Sequence, residues 1–133
     1  MVPTENVGLI WHRIEEYVSA GAKYSGGIEN SDTLLQGIMG SRYHLIVVTQ
    51  GEDDILAAII IEIMEYPLRK VMFIRNMGGR HMRLWLGKTY EFAKELCREI
   101  GIDYIETAVR ESMTKPLEKY GAERKRIIMG MEI

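Results

Sequence analysis

The stretch IRNMGGRHMR, residues 74–83, places two glycines and three arginines where a strongly apolar run changes into an amphipathic one. The start of a helix carries unpaired backbone N–H groups and about half a positive charge. Glycine lets the backbone approach an anion closely, and arginine adds charge-assisted hydrogen bonds to phosphate. The stretch therefore indicates a phosphate-binding connection between a strand and a helix. The alternative is an ordinary tight turn at Gly78 and Gly79, with the arginines in solvent.

A second candidate for chemistry is Glu62, which lies inside the apolar run IIIEIM. A carboxylate on a central strand is poorly solvated and accepts a proton more readily, which suits a general base. The alternative is a structural role, either at an exposed strand end or in an ion pair with an arginine such as Arg75. Glu65, nearer the end of the same run, is a weaker candidate.

The sequence gives less support to a metal site, a disulfide or a membrane-spanning segment. The three histidines are far apart and lack metal-ligand spacing. Cys97 is the only cysteine, which excludes an internal disulfide and favours a reducing compartment such as the cytoplasm. No signal-peptide pattern is present, and the run ILAAIIIEIM is too short to span a bilayer. The net charge of -2 gives no general attraction to nucleic acid.

Hydrophobic periodicity and turn residues predict alternating helices and strands within a single domain, residues 1–133. Thr4 is the expected cap of the first helix and Gly21 its stop, and Ser31 or Asp32 is the expected cap of the second. The predicted helices cover residues 5–20, about 32–40, 82–100 and 111–121, and the predicted strands cover residues 42–50, 55–66, 70–75, 102–109 and 122–133.

The order of these elements predicts an α/β fold with a mixed, mostly antiparallel sheet flanked by helices on both faces. Strands 55–66 and 70–75 are apolar on both sides, which is typical of central strands. The strand–helix–strand unit around helix 82–100 must cross over in the right-handed sense, which makes its two strands parallel. The final strand, residues 122–133, is suited to joining a partner's sheet in a homodimer.

This arrangement resembles the GNAT (GCN5-related N-acetyltransferase) fold over almost the whole chain. In that family a strand leads into a loop of pattern Arg/Gln-x-x-Gly-x-Gly/Ala, whose amides hold the pyrophosphate of acyl-CoA together with the following helix start. Residues 75–80, Arg-Asn-Met-Gly-Gly-Arg, match the first four positions, and Arg80 replaces the small residue of the last. The cofactor-binding residues that the resemblance implies are Met72, Phe73, Ile74, Arg75, Gly78, Gly79, Arg80, His81 and Met82.

The resemblance implies an N-acyltransferase that moves an acetyl group from acetyl-CoA to an amine acceptor. The backbone of residues 72–74 would then pair with the pantetheine arm, and Glu62 would be the catalytic base, directly or through water. In the family a tyrosine of the last helix often protonates the leaving thiolate. Aligned on Gly121, that position is Leu117, which has no proton to donate, and Tyr120 lies three residues further on. The acid is therefore missing or supplied elsewhere.

The segments KYSGGIE, MGGRHMRLWL and PLEKYGAERKR also resemble those of small GNAT-like proteins encoded by bacteriophages. Some proteins of that kind are parts of the virion. This second resemblance implies an alternative, a catalytically inactive GNAT-fold phage protein with a structural role in the virion or with a host protein as its partner. Its location would be the host cytoplasm or the virion.

Overall fold

The computed structural model of the protein describes residues 1–133. Four helices and four strands follow one another along the chain, and a short 3-10 helix, Glu111–Met113, precedes the last helix. None of the helices has the apolar length that a membrane-spanning segment needs. The elements are α1 (Thr4–Ala22), α2 (Ser31–Met39), β1 (His44–Gln50), β2 (Asp54–Tyr66), β3 (Arg69–Gly79), α3 (Met82–Glu99), β4 (Ile105–Thr107) and α4 (Thr114–Glu118).

The four strands form one sheet in the order β1-β2-β3-β4. The first three are antiparallel neighbours, and β4 pairs with β3 in parallel after the crossover through α3. The predicted fold class, a mixed and mostly antiparallel sheet with helices on both faces, is confirmed. The two long central strands, β2 and β3, were recognised from their two-sided apolar pattern.

Each face of the sheet has its own apolar core. Alternate residues of β2 point to opposite faces, so Ala58 and Ile60 join one core while Ile59 and Ile61 join the other. Burying apolar surface stabilises the fold by about 25 cal/mol per Å², and this contribution holds the helices to the sheet. The first core contains Val7, Ile14 and Val18 of α1 with Leu34 and Ile38 of α2, and the second contains Trp85, Leu86, Ala93 and Cys97 of α3 with Leu117 of α4.

The helix starts differ from the predicted caps. Thr4 is the first residue of α1 rather than its cap, and the helix continues through Gly21. The cap of α2 is Asn30, whose side chain accepts a hydrogen bond from the Thr33 N–H at 2.9 Å. The Thr33 hydroxyl accepts in turn from the Asn30 N–H, which completes a capping box. This reciprocal pair is why the helix begins one residue after Asn30.

The predicted final strand is wrong. Residues 122–133 form no regular structure, and the apolar side chains of residues 127–133 are exposed. The preceding strand is also shorter than predicted, since β4 has three residues in place of the eight of residues 102–109. A strand is maintained by its neighbour's hydrogen bonds, and β4 has a neighbour on one side only.

Candidate functional site

The strand β3 has two halves with different surroundings. Residues 72–74, here called the closed half, pair with β2 on one side and with β4 on the other. Residues 75–79, the open half, have β2 as their only neighbouring strand, because β4 ends at Thr107. The outer edge of the open half therefore has no strand beside it, and it leads directly to the start of α3.

A β-bulge separates the two halves. Ile74 pairs with Ile61 and Asn76 pairs with Ile60, so Arg75 is an extra residue in the ladder. A bulge bends its strand and increases the local twist, and the pairing of β3 with β4 ends at Ile74, immediately before the extra residue. The Thr107 hydroxyl donates to the Ile74 carbonyl oxygen at 3.1 Å, which closes the paired region at its end.

The glycines of the open half serve close packing rather than a turn. The sequence predicted that the strand ends at Arg75, but Gly78 and Gly79 continue it and pair with Ala58 and Ala57. Neither glycine has a positive φ. A Cβ atom on Gly78 would overlap the Tyr17 carbonyl of α1, and one on Gly79 would overlap the backbone of β2. Helix α1 can approach the open half only because no side chain projects there.

The start of α3 offers free backbone donors. Its cap, His81, has a left-handed backbone with φ 56° and makes no capping hydrogen bond through its side chain. The N–H of Leu84 donates to the His81 carbonyl oxygen, but Met82 and Arg83, the first two helical residues, have no partner within the helix. The first turn contains no acidic side chain. This end of the helix is therefore electropositive.

The two arginines near this helix start differ in their partners. Arg80 forms an ion pair with Asp54, and its Nε donates to the Tyr17 hydroxyl at 3.1 Å. The hydrogen bond to Tyr17 and the negative charge of Asp54 together raise the pKa of Arg80. Arg83 is exposed and takes part in no salt bridge. The charge of Arg83 is therefore the one available to an anion, while Arg80 is held to β2 and α1.

Glu62 forms ion pairs with arginines, which is the structural role that the sequence left open as the alternative to a catalytic one. Its carboxylate accepts a hydrogen bond from Arg75 at 3.2 Å and lies 3.6 Å from Arg42. The same Arg75 guanidinium donates to Glu29 at 2.8 Å, and the Tyr43 hydroxyl donates to Glu29 at 3.1 Å. The two carboxylates are 12% and 13% exposed. We call these three charged residues, Glu29, Arg75 and Glu62, the carboxylate cluster.

The carboxylate cluster is held by several contacts at the point where the open half of β3 begins. Burial disfavours the charge of Arg75, but the hydrogen bond to Glu29 and the nearby carboxylates outweigh it and raise the pKa of Arg75. The guanidinium also lies over the rings of Tyr43 and Phe73, at 5.2 Å and 5.4 Å from their centroids. The bulge thus directs Arg75 between two carboxylates and fixes their position.

An open groove of about 450 Å³ adjoins the cluster beside α2. Glu29, Thr33, Arg42 and Tyr43 are among the residues that line it. The connection between α1 and α2, residues 23–30, borders this region. The guanidinium of Arg110, which follows β4, stacks on the Tyr24 ring of that connection at 3.8 Å.

The last helix supplies no acid at the position expected from the resemblance. Leu117 is 3% exposed and belongs to the core under α3. Tyr120 stacks on Tyr90 with ring centroids 5.8 Å apart, and its ring lies against Gly87. A side chain at Gly87 would meet that ring at 3.0 Å, so this glycine makes room for Tyr120 within α3.

Several residues of the site were not predicted. Glu29, Arg42 and Tyr43 join Arg75 from distant parts of the chain, and Glu29 is 46 residues away from it. No local pattern marks them, because they meet only when the α1–α2 connection packs against the sheet. Asp54 and Tyr17, the partners of Arg80, are also distant from it in sequence and meet it only through tertiary packing.

Comparison with known proteins gives a similarity of structure and none of sequence. No protein-family model matches the chain, and no curated protein matches it in sequence. Solved structures do match, among them a probable acetyltransferase with a TM-score of 0.71 at 13% identity, covering 99% of this chain and 93% of that one. The fold is that of the acetyltransferases.

Two further structures agree with this assignment of the fold. Glucosamine-6-phosphate N-acetyltransferase from Arabidopsis thaliana has a TM-score of 0.68 at 16% identity, covering 98% of this chain and 94% of that one. An aminoglycoside acetyltransferase from an uncultured soil metagenomic sample, in complex with sisomicin, has a TM-score of 0.71 at 10% identity, covering 99% and 93%. The predicted similarity to the GNAT fold is therefore confirmed as a similarity of architecture.

Proposed function

We propose that this protein is an acyl-CoA-dependent N-acyltransferase that transfers an acetyl group from acetyl-CoA to an amine. The observation that carries the proposal is the open half of β3, which leads directly to the free start of α3. A bare strand edge has backbone groups to pair with the amides of a pantetheine arm. An electropositive helix start has N–H groups for a pyrophosphate. The shared fold with acetyltransferases supports the same conclusion.

The proposed cofactor contacts differ from those that the sequence predicted. The backbone of Met72 to Ile74 is already paired on both sides, so it has no free edge for the pantetheine arm. The arm is proposed to lie along residues 75–79 instead, including Gly78 and Gly79. The N–H of Arg80 donates to the Leu56 carbonyl oxygen, which leaves the N–H groups of residues 81–83 and the Arg83 side chain for the phosphates.

The chemistry needs an amine held next to the thioester and a group that accepts its proton. The amine nitrogen attacks the thioester carbonyl carbon, a C–N bond forms, and the C–S bond breaks as the thiolate leaves. Glu62 is the proposed base, directly or through water, and Glu29 shares its environment. A thiol has a pKa of about 8.5, so a thiolate is a stable enough leaving group to depart without a dedicated acid.

The acceptor is proposed to enter through the groove beside α2. Glu29 lines this groove and belongs to the carboxylate cluster, so its carboxylate is the group proposed to accept a hydrogen bond from the approaching ammonium. The first acceptors to test are amino sugars, since two of the similar structures are named for acetylation of glucosamine-6-phosphate and of aminoglycosides.

Calorimetric titration with coenzyme A tests the proposal. The wild type is expected to bind, and Arg83→Glu is expected to weaken binding at least about tenfold, because a lost charge-assisted bond is worth about 1.5–3 kcal/mol. Lys88→Glu is the matched control, since Lys88 is exposed on the same helix but farther from its start. The proposal fails if the wild type does not bind, or if both variants lose affinity equally.

A second candidate is a catalytically inactive protein of the same fold. The buried Leu117 in place of a proton donor and the ion-paired state of Glu62 favour it. In this candidate the chain serves a phage virion or binds a host protein. Its presence in purified virions at fixed stoichiometry, with no turnover of any amine in the presence of acetyl-CoA, would support this role over the enzyme.

A further inference from the structure

Arg42 extends the carboxylate cluster into a row of alternating charge, in the order Glu29, Arg75, Glu62, Arg42. The Arg75 guanidinium binds Glu29 at 2.8 Å and Glu62 at 3.2 Å, and the second oxygen of Glu62 lies 3.6 Å from the Nε of Arg42. The two inner residues, Arg75 and Glu62, have an opposite charge on both sides. The two outer residues have one on a single side, so they are the charges left to attract a ligand.

The two ends of α2 hold the outer charges of this row. Glu29 immediately precedes the cap of α2, and its N–H donates to the Ser25 hydroxyl at 3.1 Å. At the other end, the N–H of Arg42 donates to the Gly37 carbonyl oxygen at 2.9 Å, after a turn in which Ser41 has a positive φ of 61°. Hydrogen bonds therefore fix both backbone positions independently of any ligand.

Both outer charges line the groove beside α2, and they are the only charged residues in its lining. Thr33 and Gln36 add a hydroxyl and an amide, which are neutral hydrogen-bonding groups. The volume of about 450 Å³ lies within the range of small-molecule sites, about 300–1,000 Å³. The groove thus offers one negative and one positive group to a small polar molecule.

Each outer charge has unused hydrogen-bonding capacity. The Oε1 atom of Glu29 accepts from Arg75 and from Tyr43, whereas its Oε2 atom accepts only from the Thr33 hydroxyl, at 3.2 Å. The side chain of Arg42 is 67% exposed, and its guanidinium lies 5.1 Å from the centroid of the Tyr43 ring without a hydrogen bond to the protein. Glu29 can therefore accept from an ammonium, and Arg42 can donate to an anion.

We propose that the acceptor is an amine that also carries an anionic group, either a phosphate or a carboxylate. Its ammonium binds Glu29 and its anion binds Arg42, so both ends of the charged row are matched. This inference rests on the proposed function, because it assigns the acceptor of that reaction. A polycation such as an aminoglycoside also satisfies Glu29, but it brings a like charge to Arg42 and matches the groove less well.

Calorimetric titration with two pairs of probes tests the proposal, in the absence and in the presence of coenzyme A. The first pair is glucosamine 6-phosphate and glucosamine, and the second is β-alanine and propylamine, so the members of a pair differ mainly in the anion. In at least one pair the anionic member is expected to bind the wild type about tenfold more tightly or better. The pair with the larger difference identifies the anion as a phosphate or a carboxylate.

Arg42→Gln is expected to remove this preference, because the amide keeps hydrogen-bonding groups but carries no charge. Arg98→Gln is the matched control, since the side chain of Arg98 is similarly exposed, 62%, and lies on α3 at the other face of the sheet. The control is expected to keep the preference, and both variants should give the circular dichroism spectrum of the wild type.

The proposal is overturned if neither anionic probe binds the wild type, or if each binds no more tightly than its uncharged-end partner. Tighter binding of sisomicin than of both anionic probes, or a preference that survives in Arg42→Gln, would also overturn it. Coenzyme A binding by the same samples separates this proposal from the proposed function. Normal coenzyme A binding without an anion preference rejects the acceptor assignment alone. An anion preference without coenzyme A binding supports the anion site at Arg42 and rejects acyl transfer.

Discussion

The two halves of β3 differ in what they contribute, although they are consecutive residues of one strand. The closed half has strands on both sides, and its Met72 is completely buried under α3. The open half has a free edge. Its glycines let α1 approach the strand closely at Gly78 and let β2 do so at Gly79. A single extra residue in the ladder, Arg75, begins the open half. One bulge therefore divides the strand into a part that stabilises the sheet and a part that is proposed to bind coenzyme A.

Removing the carboxylate that faces the start of the open half is expected to have the largest effect. With any amine that the wild type acetylates, Glu62→Gln should lower kcat about 100- to 10,000-fold, because the amide cannot accept the proton. Glu65→Gln is the control, since Glu65 lies on the same strand but its side chain is 76% exposed. The measurement is coenzyme A release. Equal activity of Glu62→Gln and the wild type would exclude Glu62 as the base.

Truncating a side chain of the closed half should change stability and leave the ligand site intact. Met72→Ala is expected to lower the free energy of unfolding by about 2–5 kcal/mol, because Met72 is completely buried and leaves a cavity. Urea denaturation measures the change. Affinity for coenzyme A, measured below the unfolding transition, should be unchanged. A large loss of affinity would mean that the two halves do not act separately.

Adding one methyl group to the open half should displace α1. Gly78→Ala is expected to destabilise the fold by about 1–3 kcal/mol, because the new Cβ atom overlaps the Tyr17 carbonyl. Gly8→Ala is the counterpart on α1, where nothing lies within 4 Å of the added atom. It should stabilise the protein by about 1 kcal/mol through helix propensity. Thermal unfolding of both variants checks the two opposite signs.

The smallest expected effect is a loss of folding stability at alkaline pH, caused by buried groups in the core that packs against the closed half. Burial raises the pKa of the Cys97 thiol, whose sulfur lies 3.8 Å from that of Met72, and burial also raises the pKa of Tyr90. The folded protein thus holds these protons more tightly than the unfolded chain. Stability should be constant up to about pH 8 and decrease above the unfolded thiol pKa of about 8.5.

Reaction of Cys97 with a thiol reagent gives the matching kinetic measurement. Below the unfolding transition the buried thiol should react only as fast as the protein opens. Fast labelling of the native protein at neutral pH would contradict the burial of this side chain.

Most of the fold follows from local patterns in the sequence. The continuous apolar run of β2 and the amphipathic period of α3 predict these elements almost to the residue. The sequence wrongly predicts a final strand at residues 122–133. Strand formation depends on pairing with a neighbouring strand, which the local pattern of these residues does not specify. The continuation of β3 through Gly78 and Gly79 was also missed. Glycine normally marks a turn, and only the close contact with Tyr17 explains it here.

The candidate site was predictable in place but not in composition. Residues 74–83 do connect a strand to a helix start, which is the geometry that the sequence indicated. The roles within that stretch depend on distant partners. Asp54 holds Arg80, which leaves Arg83 free, and Glu29 completes the pairing of Arg75. Such partners come from tertiary packing, which a local motif does not encode.

The most direct test of the central claim is an amide chemical-shift map of the protein titrated with coenzyme A. The account predicts that the largest shift changes fall on residues 75–83, the open half of β3 and the start of α3, while the amides of residues 72–74 change little. Changes confined to other regions, or no change at millimolar ligand, would contradict the claim that this open strand edge is a cofactor site.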